Sequence, residues 1–178
     1  MSSTSTSKTV EAIKRDLFSS DAALVMKALI KCREQGTAEM VEPLIALYSS
    51  SSETSVKDEI SDMLSNLKVS GLENVFIRAL LNSDYLKIRK DILGFMWNSA
   101  IQPADGIIDI TDIAIGGSYE ETLECYTLLE SMDDEIPEDI LMESIYRVRE
   151  HLGKGTGTRD HRALLNEYLN ALEARQVN

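Results

Sequence analysis

Val41-Glu-Pro-Leu-Ile-Ala-Leu-Tyr48, a serine run at 49–52, and Val56-Lys-Asp-Glu-Ile-Ser-Asp-Met-Leu-Ser-Asn-Leu67 decide the fold. Val41, Leu44 and Tyr48 fall on one helical face, and so do Val56, Ile60 and Met63, because 3.6 residues make a turn. Serine side chains compete for backbone hydrogen bonds, so a serine run favours caps and turns over a helix interior. The stretch therefore predicts a helix, a short polar turn and a second helix.

The same order recurs on both sides. Turn anchors at Asp21, Ser52, Asp84 and Ser118 are separated by 31, 32 and 34 residues. Four residues after each anchor stand Val25, Val56, Ile88 and Thr122; eight after stand Leu29, Ile60, Ile92 and Tyr126; eleven after stand Cys32, Met63, Phe95 and Leu129. Only Thr122 is polar in those columns. Ahead of the anchors the columns read Ile13, Leu44, Phe76, Ile110; then Leu17, Tyr48, Leu80, Ala114; then Val10, Val41, Leu72, Ile107. Gly36, Gly71 and Pro103 separate one unit from the next. The β-branched residues of Ile107–Ile115 suit a strand locally, but the phase of the repeat requires a helix there.

Units of this length, with Ser or Asp at the turn ahead of a V-x-x-x-I helix, resemble HEAT-like (armadillo-type) helical repeats. Val41 to Leu67 is the best match and Asn74 to Phe95 the second; Lys57 and Arg89 follow the valine or isoleucine, where that family often carries a base. The resemblance spans residues 8–132. It implies an all-α, right-handed α-solenoid of about five helical hairpins, in which second helices line a concave surface. The W-x-x-L-G of tetratricopeptide repeats and the T-P-L-H of ankyrin repeats do not occur.

The remainder predicts a capping hairpin over about residues 138–175. Ile140, Leu141, Ile145, Val148 and Leu152 form the apolar stripe of one helix, opened by Pro137. After the loop 153–159, Asp160 is expected to cap a last helix carrying Leu164, Leu165, Tyr168, Leu169 and Leu172. Residues 1–8 read as a disordered polar tail, and 9–178 as one domain.

The chain of 178 residues has a net charge of −12. Sequence-independent binding to nucleic acid, or to an anionic membrane, needs a positive face and is not expected. No stretch has the apolar length of a membrane span, and the N-terminus lacks a secretory h-region, so a cytoplasmic location is expected. Cys32 and Cys125 make neither a disulfide framework nor a zinc or redox motif; Cys32 falls in a core column and reads as an inert thiol. His151 and His161 flank the last loop and read as surface residues able to meet across it. Gly153-Lys-Gly-Thr-Gly-Thr lacks the order and the strand-to-helix setting of a phosphate loop. Asp133-Asp134-Glu135 lacks EF-hand spacing. No catalytic constellation, metal site or cofactor site is read.

Charge position says more than its total. Residues 101–140 hold twelve acids and no Lys or Arg, while the other 138 residues hold 18 acids and 18 bases. Such a block either steers a basic partner or solvates a plain surface. In the third unit, Arg89, Leu93 and Trp97 lie off the Ile88/Ile92/Phe95 face. By the resemblance Arg89 and Trp97 point into the groove, where Arg and Trp are common interface anchors; the alternative is that Leu93 and Trp97 pack on the neighbouring unit. The expected partner-binding set is Arg89, Trp97, Glu120, Glu121, Glu124, Asp133, Asp134 and Glu135. The expected function is a non-enzymatic adaptor or scaffold for a protein partner with basic character. Self-association stays open. The alternatives are a HEAT-like enzyme, such as a chromophore lyase, or a small-ligand-binding protein.

Overall fold

The computed structural model describes residues 3–35 and 38–176. These form ten α-helices and no strand: α1 Ser3–Leu17, α2 Ala22–Gln35, α3 Val41–Ser50, α4 Thr54–Ser65, α5 Glu73–Leu81, α6 Arg89–Asn98, α7 Ile107–Gly116, α8 Tyr119–Ser131, α9 Glu138–Gly153 and α10 Arg159–Ala174. Of the tail expected over 1–8, Met1 and Ser2 lie outside the described residues, and the backbone from Ser3 belongs to α1. Gly36, read as a separator, also lies outside them.

Consecutive helices pack as the pairs α1/α2, α3/α4, α5/α6, α7/α8 and α9/α10. The second helices also pack in succession, α2 on α4, α4 on α6, α6 on α8 and α8 on α10. Among the first helices, α1 packs on α3, α3 on α5 and α7 on α9, while α5 meets the next unit through the 3-10 turn Ala104–Gly106. Glycine is required at that turn: a Cβ on Gly106 would stand 2.5 Å from Ile77 Cδ1.

The repeat columns form the core. Every residue in the six columns is buried except Tyr48, Met63 and Tyr126, which are half-buried, and the turn anchors are exposed. Tyr48 meets the ring of Phe95 edge-on at 5.3 Å and donates its hydroxyl to Asp91 at 3.1 Å, joining α3 to α6. The polar exception, Thr122, is also buried; its Oγ1 lies 2.8 Å from the Ala114 carbonyl, so it is satisfied. Residues 107–116 are helical despite their β-branching, because Ile107, Ile110 and Ile113 are all buried and packing outweighs propensity.

The turns differ in detail from one unit to the next. Asp21 accepts from the Ala23 amide at 2.9 Å, and Ser118 closes a full capping box with Glu121. In the second unit Ser51, not Ser52, makes the turn bond, accepting from Glu53 N at 3.1 Å. Asp84 sits inside a 3-10 segment, Ser83–Ile88, rather than at a helix start; Asn82 takes the capping role by accepting the Asp84 amide at 2.9 Å. The last helix is capped by Thr158, whose Oγ1 accepts from His161 N at 3.2 Å, and not by Asp160. Thr158 is extended at φ −72° and ψ 161°, as a cap must be, whereas Asp160 is already inside the first turn.

Phe76 is fully buried in the centre of the chain's packing order. Phe76→Ala is expected to cost about 3–5 kcal/mol of unfolding free energy, read as a lower urea midpoint at unchanged helicity.

Candidate functional site

The expected binding residues fall in three places. Four of them meet at the seam between α6 and α8. Arg89 begins α6, and its Nε donates to Glu121 Oε1. The second oxygen of Glu121 accepts the Ser118 amide at 2.7 Å, so one carboxylate closes the α8 cap and holds α6. Two turns along, Trp97 Nε1 donates to Glu124 Oε2 at 2.7 Å. Trp97 is half-buried and packs on the core, and Leu93 is wholly buried. Arg89 and Trp97 are thus engaged by the acidic helix next to them.

Burial alone would raise the Glu121 carboxyl. The Arg89 guanidinium and the Ser118 amide and hydroxyl outweigh it and hold Glu121 below the usual carboxylate range. The ion pair has only 19% and 12% of its two side chains exposed.

Glu120, by contrast, is exposed on the outer side of α8. Asp133, Asp134 and Glu135 are exposed on the loop between α8 and α9. That loop is held from within. The Asp133 and Asp134 amides donate to Gln102 Oε1 at 2.9 and 3.1 Å, and Arg175 Nη2 donates to the Leu129 and Met132 carbonyls at 2.7 Å each. Of the twelve acids in 101–140, Asp112, Glu121 and Glu124 give their carboxylates to Arg147, Arg89 and Trp97. The other carboxylates form no ion pair among the described residues.

Sequence reasoning missed several surface residues. Tyr119 and Leu123 are exposed on α8, one turn apart and flanking Glu120. Met142 and Tyr146 are exposed one turn apart on α9. Their signal was in the helical phase: each stands opposite the buried residues of its own helix. His161 is not a surface residue facing His151. It is half-buried and turns to the preceding hairpin, its Nε2 lying 2.8 Å from Thr122 Oγ1 and 3.2 Å from the Ala114 carbonyl. Tyr168 likewise ties α10 to α7, its hydroxyl 3.1 Å from Thr111 Oγ1 in the core.

Both thiols are buried. Burial pushes Cys32 up to about 11. Cys125 is itself a core residue of α8; burial, and then the negative charge of Glu121, push it up further. No group of three or more His, Cys, Asp or Glu able to hold a metal occurs among the described residues. No helix among them is long and apolar enough to cross a membrane.

Two outcomes are expected. Glu121 has a folded-state pKa below its unfolded one, so its stabilising contribution is present above the unfolded value and is lost as pH falls through the folded one. Urea unfolding of Glu121→Gln should therefore show a lower stability than wild type at neutral pH, with the difference shrinking on acidification. A difference that is constant with pH would refute the assignment. Secondly, neither cysteine should react with a thiol reagent in the native protein at neutral pH, and both should react in urea.

No protein-family model matches this chain, and no curated protein matches it significantly.

Proposed function

We propose that this chain is a HEAT-like helical-repeat scaffold, a right-handed solenoid of five hairpins whose second helices receive a basic segment of a protein partner. Support for the repeat comes from the buried columns and from the succession α2–α4–α6–α8–α10, in which each second helix packs on the next. The observation that carries the binding reading is the outer side of α8. It presents Glu120 and Glu130 with Tyr119 and Leu123, on the same helix whose Glu124 holds the half-buried Trp97. Uncommitted carboxylates interleaved with exposed apolar side chains suit a segment that brings both Lys or Arg and apolar residues.

The internal engagement of Glu121 and Glu124 sharpens the reading. These two preorganise the seam by fixing Arg89 and Trp97, and the partner's bases fall to Glu120, Glu130 and the loop acids Asp133, Asp134 and Glu135.

The test is affinity capture from the native lysate at low and high salt, with captured proteins identified by mass spectrometry. The control changes Glu120, Glu130, Asp133, Asp134 and Glu135 to Lys and leaves Glu121 and Glu124 intact. The expected result is a protein with a basic segment, retained by wild type, weakened by salt and lost with the control. Its synthetic basic segment should then shift the emission of Trp97, the chain's single tryptophan. Capture that is equal for wild type and control would refute the acidic surface as the binding site.

A further inference from the structure

The first and last hairpins carry outer faces of opposite character. On α2 the buried residues are Val25, Ala28, Leu29 and Cys32. The opposite side presents Lys27 and Lys31, with one acid, Glu34, together with Leu24 and Ile30, which are 40% and 52% exposed. Neither lysine forms an ion pair among the described residues. On α9 the buried residues are Leu141, Ser144, Ile145 and Val148. The far side presents Asp139 together with Met142 and Tyr146, which are 48% and 62% exposed, and Glu138 is exposed beside them as the first residue of the helix. Neither of these acids forms an ion pair among the described residues either.

The two faces belong to opposite ends of the packing order. Outside their own hairpins, α1 and α2 pack on α3 and α4, and α9 and α10 pack on α7 and α8. One chain's α2 face and its own α9 face are therefore served by separate hairpins.

We infer that the α2 face of one copy docks on the α9 face of another, so that this chain associates head to tail. Lys27 and Lys31 oppose Glu138 and Asp139, while Leu24 and Ile30 cover Met142 and Tyr146. Each face pairs an uncommitted charge with exposed large apolar side chains, and the signs are opposite. Contact between two α9 faces sets acid against acid, and contact between two α2 faces brings together two surfaces whose two lysines outnumber Glu34, so the net charge disfavours a two-fold dimer through either one. A heterologous contact leaves one free α2 face and one free α9 face on every assembly, so growth continues unless the rotation closes a ring. This inference does not depend on the proposed function, because it uses neither the α6–α8 seam nor the loop acids.

The test is sedimentation of the full chain over a concentration series at low and high salt, with Ile30→Asp and Tyr146→Asp as variants. Both sites are exposed, and circular dichroism checks that each variant keeps its helices. Wild type is expected to gain mass with concentration, less so at high salt, and each variant alone to stay monomeric. An equimolar mixture of the two variants retains one intact α2 face and one intact α9 face, so it should form pairs of chains and nothing larger. A wild type that stays monomeric at low salt overturns the inference. So does association that persists undiminished in high salt or in either variant, and so does a mixture that remains monomeric.

Discussion

A hairpin of about thirty residues cannot bury its apolar sides by itself, and the rest of this structure follows from that constraint. Ile60, Ile92 and Leu129 are buried on second helices that pack on the next second helix, Leu44 on a first helix that packs on the next first helix, and Phe76 on α5, which meets the next hairpin through the turn Ala104–Gly106. The repeat columns are the sequence record of this requirement. Their members are buried except Tyr48, Met63 and Tyr126, which are half-buried.

Polar contacts then set how neighbouring hairpins are joined. Ser99 Oγ donates to the Leu64 carbonyl at 2.7 Å and accepts the Leu67 amide at 3.1 Å, capping the end of α4 from α6. Arg89 and Trp97 reach from α6 to Glu121 and Glu124 on α8; Arg33 reaches from α2 to Glu59 and Asp62 on α4. Thr122 with His161, and Thr111 with Tyr168, fasten the last hairpin. The Arg33 pairs are exposed and the others buried or half-buried; each adds only modestly to stability, since most of the hydrogen-bond energy is exchanged with water.

The candidate site shows how a sequence reading separates residues that belong together. Arg89 and Trp97 look like interface anchors in one unit, and Glu121 and Glu124 look like a partner-facing charge in the next. They answer each other across the seam. An internal contact between hairpins and a contact to an outside partner draw on the same residue types, so each half alone looks free. The exposed apolar residues Tyr119, Leu123, Met142 and Tyr146 were legible only as the far side of a helix, after its near side was known to be buried.

The sequence by itself determined the helices, their hairpin order and the core. These depend on local periodicity and on the spacing of polar turns, which are properties of the chain read along its length. It also placed the negative charge in one segment. Only the tertiary structure decided which charges are committed. Thr158 in place of Asp160 as a cap, Asn82 in place of Asp84 at a turn, and Glu121 as both cap and ion-pair partner depend on backbone angles and on neighbours about thirty residues away. Helical phase fixes which side of a helix is buried. Which carboxylate finds a partner depends on what the next hairpin brings to it.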